Sequence, residues 1–169
     1  MTLTKTSIRT LAVTALVTPA LFLGPAAGAD SVAHKDPKGD SPKSIDIVRW
    51  KANNGKKAVT FTLRFRSLKL RKLQGFGGLV RPKGTSEDYA IAFRRAKAGA
   101  KLKPAAAHGD DRITCKRTRF KRRGDVLRLR VPQKCFGKDA GALRLGVIAV
   151  SLDNKLEDSE KLSKFVKRG

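Results

Sequence analysis

The chain has very few of the residues from which catalytic centres and stacking surfaces are built. Two histidines, two cysteines, one tryptophan and one tyrosine occur in 169 residues. There is no His-Glu-x-x-His helix, no Gly-x-Ser-x-Gly elbow and no phosphate-cradling glycine loop, which removes the zinc-protease, serine-hydrolase and nucleotide-binding signatures. His34 lies in a polar stretch, and His108 lies in a Gly/Ala/Asp loop beside Asp110 and Asp111. Sequence adjacency of a histidine and an aspartate is not a triad, so His108 reads as a loop histidine. No enzymatic activity, catalytic residue or cofactor is expected. The scarcity of aromatics, with no nucleic-acid motif, argues against sequence-specific nucleic-acid recognition.

Acidic residues are scarce as well. Thirty-eight Lys and Arg stand against 14 Asp and Glu, for a formal charge of +24. Such a field attracts polyanions and keeps copies of the chain apart. The excess is larger than solubility requires.

The apolar run near the N-terminus is too short and too interrupted for a membrane span. It extends from Leu11 to Leu23, follows Lys5 and Arg9, and precedes Ala27-Gly28-Ala29. This order of positive, apolar and small residues predicts a secretory signal peptide over 1–29. The mature chain then begins at Asp30 with a charge of +22, since Lys5 and Arg9 leave with the signal. No lipid-anchor cysteine follows the run, and the sequence ends Lys167-Arg168-Gly169 without an apolar tail. The expected location is extracellular, at most charge-held to a surface, with no transmembrane segment. In that compartment Cys115 and Cys135 are expected to form one disulfide. Their spacing fits neither a Cys-x-x-Cys redox pair nor a zinc set.

Residues 30–43 are rich in Pro, Gly, Asp and Ser and read as a polar leader to a domain over 44–169. Ile45 to Ala52 and Val59 to Phe65 read as a hairpin turning at Asn54-Gly55. In its second arm Val59, Phe61, Leu63 and Phe65 alternate with Thr60, Thr62, Arg64 and Arg66, the period of a half-buried strand. Gly75 to Val80 and Tyr89 to Phe93 read as further strands, with a loop or short helix over Arg94 to Gly109. Arg112 to Lys121 and Asp125 to Val131 form a second predicted hairpin, ended by Pro132. Ala142 to Leu152 is an apolar, central strand. Glu157 to Lys167 is a weakly amphipathic segment contacting the core through Leu162, Phe165 and Val166. About seven strands and little helix predict an all-β fold, an antiparallel β-sandwich with one disulfide. A small closed barrel is the alternative.

The order of these features resembles a loose group of small secreted actinobacterial proteins. The shared elements are an Asp-rich entry (Asp36-Pro37-Lys38-Gly39-Asp40 and Ser44-Ile45-Asp46-Ile47), a Val/Arg-alternating strand (Ala58 to Leu68), Glu87-Asp88-Tyr89, and Val131-Pro132-Gln133-Lys134-Cys135. The resemblance covers most of the mature chain and implies a β-sandwich and export. It implies no ligand. The high lysine content departs from the pattern.

Three residue sets are candidate sites. Arg64, Arg66, Arg128 and Arg130 occupy outward strand positions, while Lys116, Arg117, Arg119, Lys121, Arg122 and Arg123 crowd one arm and turn of the second hairpin. Together they predict a basic sheet face that binds an anionic polymer or envelope surface by displacing its counterions. Asp36, Asp40, Asp46, Glu87 and Asp88 are candidate oxygen ligands for calcium, without the spacing of an EF-hand; turn chemistry is the plainer reading. Trp50 is either a sugar-stacking platform or a core anchor, and its large apolar area favours the core. A carbohydrate- or calcium-dependent module is therefore the rival to polyanion binding. The charge field sets neither the ligand nor the oligomeric state.

Overall fold

The computed structural model describes residues 30–36, 39, 41–137, 140–152, 156–159 and 162–169. The segment read as a signal peptide, 1–29, lies outside these residues. Among the described residues no helix is long and apolar enough to cross a membrane. The fold is all-β, with two antiparallel sheets and one disulfide.

The first sheet has the order β1-β2-β3-β9-β8, built from Ser31–Lys35, Ile47–Asn54, Ala58–Phe65, Val126–Pro132 and Arg119–Arg123. The second has the order β11-β10-β4-β5-β6-β7. Its strands are Leu156–Ser159, Leu143–Ser151, Leu73–Pro82, Tyr89–Arg94, Lys103–His108 and Asp111–Arg112. Single 3-10 turns occupy Leu70–Lys72 and Gln133–Phe136.

Period-two alternation places the core. On β3, Val59, Phe61, Leu63 and Phe65 are buried; on β9, Leu127, Leu129 and Val131 are. These side chains meet Leu73, Phe76 and Val80 of β4 and Leu145, Val147 and Ala149 of β10 in one apolar cluster shared by both sheets. The sheets therefore pack face to face, each hiding its one apolar side. Trp50 belongs to this cluster at 2% exposure, which settles it as a core anchor. Phe76, Phe93 and Phe120 close one end of the core with edge-on ring contacts of Phe120 to the other two.

Several expectations are corrected. Eleven strands are present among the described residues, not about seven. The polar leader contributes β1, which pairs with β2 from Ser31↔Asn53 to Lys35↔Arg49. An edge strand is held by backbone bonds along one side and needs no apolar alternation, so its composition hid it. Asn54 is not a turn residue: it is the last residue of β2, fully buried, and the chain reverses over the next three positions. The stretch 94–109 holds β6 despite Pro104. Pro104 pairs with Phe93 on one side only, because β7 reaches no further than Ala107 and His108. Arg112 to Lys121 is not one hairpin arm. Arg112 pairs within the second sheet, and Arg119 begins β8 in the first. Of the amphipathic segment, Leu156–Ser159 is a strand, Val166 is buried, and Phe165 is exposed beneath the Arg144 guanidinium at 4.8 Å.

Cys115 and Cys135 are bonded, with Cα atoms 5.4 Å apart. The bridge ties the chain entering β8 to the 3-10 turn leaving β9, so it closes a loop holding the whole β8–β9 hairpin. Removing it frees that loop in the unfolded chain. Chain-entropy arguments put the loss at about 3 kcal/mol. Denaturant melts of the oxidised protein and of Cys115→Ser/Cys135→Ser should differ by that amount, and equal midpoints would contradict it.

Candidate polyanion-binding face

The outward positions of the first sheet form three rows across its five strands. One row reads Ser31, Asn53, Thr60, Arg130, Arg119. The next reads Ala33, Lys51, Thr62, Arg128, Lys121. The third reads Lys35, Arg49, Arg64, Val126, Arg123. Nine of these positions are Lys or Arg and none is acidic. Neighbours in a row stand about 4.8 Å apart between strands, and successive rows about 6.8 Å apart along a strand.

Among the described residues none of these nine cations forms an ion pair. Ion pairs instead join Arg66 to Asp46 and Arg81 to Asp88, and His108 stands 3.5 Å from Glu87; none of these residues is a row position. Arg119 lies directly opposite Arg130, and Lys121 directly opposite Arg128. Like charges facing each other across a ladder destabilise a sheet. Together with Phe120 the four line a depression of about 240 Å³. A larger one, about 680 Å³, lies over Thr60 and Thr62, with Lys51 on one side and Arg128 and Arg130 on the other. Lys56 and Lys57 of the β2–β3 turn close its end.

The ten basic residues singled out from sequence divide. Arg64, Arg119, Lys121, Arg123, Arg128 and Arg130 share the face. Arg66 follows β3 and stands 3.8 Å from the buried Asp46 carboxylate. Lys116 and Arg117 sit in the turn after Cys115, where Arg117 has φ +66°. Arg122 belongs to the opposite side of β8, opposite Leu127, where its guanidinium donates to the Gly124 and Leu68 carbonyls. Sequence reading missed Lys35, Arg49 and Lys51. The alternation of Arg49 and Lys51 with buried Trp50 and Ala52 was the signal for two of them. Lys35 had little such signal, because in its strand only Val32 packs against the core.

Among the described residues the candidate calcium ligands are not gathered into a metal-binding group. Asp88 accepts two hydrogen bonds from Arg81, at 2.7 and 2.9 Å, and these raise the Arg81 pKa above its ordinary value. Glu87 lies 3.5 Å from His108, whose ring stacks on Tyr89 at 4.0 Å. Asp46 accepts from the Gly39 amide. Asp40 lies outside the described residues. Among the described residues no group of three or more His, Cys, Asp or Glu is placed to hold a metal ion. No protein family, curated protein or solved structure matches the chain.

Proposed function

We propose that the chain is an exported binding protein that attaches electrostatically, through the outer face of its first sheet, to an anionic polymer of the cell envelope. The observation that carries this reading is the three-row array, in which nine of the fifteen positions are Lys or Arg and none is acidic. Opposed like charges on β8 and β9 weaken the free sheet, and a polyanion laid between them removes that repulsion while releasing its own counterions. The disulfide agrees with export. The rival carbohydrate module loses its platform with Trp50 in the core.

The test is a salt titration of binding to purified envelope polymer. The logarithm of the association constant should fall linearly with the logarithm of salt, by about 0.7–0.9 per neutralised charge. Arg128→Ala/Arg130→Ala should lower affinity and flatten that slope by about 2, one per lost contact. Both residues lie opposite the Leu127/Leu129/Val131 core side, so thermal melts should change little. Binding that is absent at low salt, or indifferent to salt and to both substitutions, overturns the proposal.

A further inference from the structure

The centre of the basic face is shaped as a track. Its floor is β3, the middle strand, whose outward residues are the small Thr60 and Thr62 in the first two rows and the cation Arg64 in the third. Its walls are long cations on the two neighbouring strands, Lys51 on β2 and Arg128 and Arg130 on β9. Two inter-strand steps separate the walls, roughly 10 Å between their backbones. That width admits one extended polymer strand lying parallel to β3. The charges along the track repeat every two residues.

A two-residue repeat of a β-strand spans six backbone bonds and about 6.8 Å. A polymer with six bonds between successive phosphorus atoms, drawn out straight, repeats at nearly the same length. Polymers of glycerol phosphate have this linkage: P–O, O–C, C–C, C–C, C–O and O–P. Single-stranded nucleic acid shares it, but its binding surfaces use aromatic rings for the bases to stack on. The three outward rows contain no Phe, Tyr or Trp. Inorganic polyphosphate places a charge every two bonds, three to each row interval, so two of every three phosphates fall between rows.

Building on the polyanion reading, we infer that the track along β3 recognises an extended poly(polyol phosphate). Successive phosphates pair with successive cation rows, and the Thr60 and Thr62 hydroxyls contact the polymer from below.

The experiment compares glycerol-phosphate oligomers of graded length with inorganic polyphosphate and oligo(dT), at one low salt concentration. With the unmodified protein, glycerol-phosphate affinity should climb until the oligomer spans the three rows, at roughly three to four repeats given the row spacing, and then level off. Thr60→Val/Thr62→Val keeps shape, strand preference and every charge while removing both hydroxyls. It should weaken the glycerol-phosphate oligomer about tenfold, two lost hydrogen bonds, and leave inorganic polyphosphate within about twofold. Equal losses for both polymers, no loss for either, or a length dependence without a plateau overturns the track while the polyanion reading stands. Oligo(dT) binding at least as tightly as the glycerol-phosphate oligomer overturns the polymer assignment. Failure of every polyanion to bind the unmodified protein overturns the broader proposal instead.

Discussion

Replacing Asn54 by Asp should cost about 3–5 kcal/mol of stability, the penalty of an uncompensated buried charge. Asn54 is fully buried at the end of β2. Its side-chain NH2 donates to the Gly141 and Val166 carbonyls, both at 2.9 Å, and its oxygen accepts from the Gln133 amide. Gln133 also donates to the Gly55 carbonyl. One amide thus ties the β2–β3 turn to the 3-10 turn after β9 and to the C-terminal segment, whose Val166 exchanges backbone hydrogen bonds with Leu143 of β10. An aspartate has the same shape but presents an oxygen where two carbonyls expect a donor. The Gly141 carbonyl loses this donor, the Val166 carbonyl keeps only the Leu143 amide, and the new carboxylate is fully buried. Asn54→Ala is the milder control: it removes the same two donated hydrogen bonds but introduces no charge, at about 1–3 kcal/mol for polar groups left short of a partner. Urea melts at neutral pH should rank wild type, Ala and Asp in that order. An Asp variant as stable as Ala would show that water reaches this amide.

The role of Asn54 marks where sequence reading stops. As a sequence, Asn54-Gly55 is a strong turn dipeptide. Its burial depends on residues 87 and 112 positions away, and no local pattern reports them. The strands legible beforehand are those whose alternation is enforced by a core on one side, β3 and the second arm of the β8–β9 hairpin above all. Those missed or blurred are β1, β6 and β11, which lie at or near sheet edges or carry small side chains, where backbone pairing does the holding. The basic face follows the same division. Arg64, Arg128 and Arg130 were legible because buried neighbours fix their direction. Arg122 was misplaced because charge count cannot say which way a residue points. Register across five strands turned scattered cations into rows, and register is a property of pairing rather than of any one segment.

The second large effect concerns the contact that joins the sheets. Phe61 stands on the middle strand of the first sheet, fully buried, over Gly78 of β4. A β-carbon at Gly78 would lie 2.4 Å from the tip of the Phe61 ring and 2.5 Å from its flank, inside van der Waals contact. The ring therefore rests on bare backbone, and glycine is required there for space rather than for its dihedral freedom. Phe61→Ala should cost about 3–5 kcal/mol, through lost burial and a cavity at the centre of the core. Gly78→Ala should cost about 1–3 kcal/mol by overpacking against a ring that has no room to retreat. The two should not add. With Phe61 already shortened, the new methyl enters vacated space and its penalty should fall by at least about 1 kcal/mol, as expected for residues in direct contact. Chemical denaturation of the four members of this cycle measures the coupling. Gly77 supplies the contrast. A β-carbon there would meet the Ile91 carbonyl oxygen at 2.4 Å, which is backbone of the neighbouring strand in the same sheet. Gly77→Ala should therefore be equally costly with or without Phe61, and a rescue of Gly77→Ala by Phe61→Ala, or strict additivity at Gly78, would contradict the face-to-face contact described here.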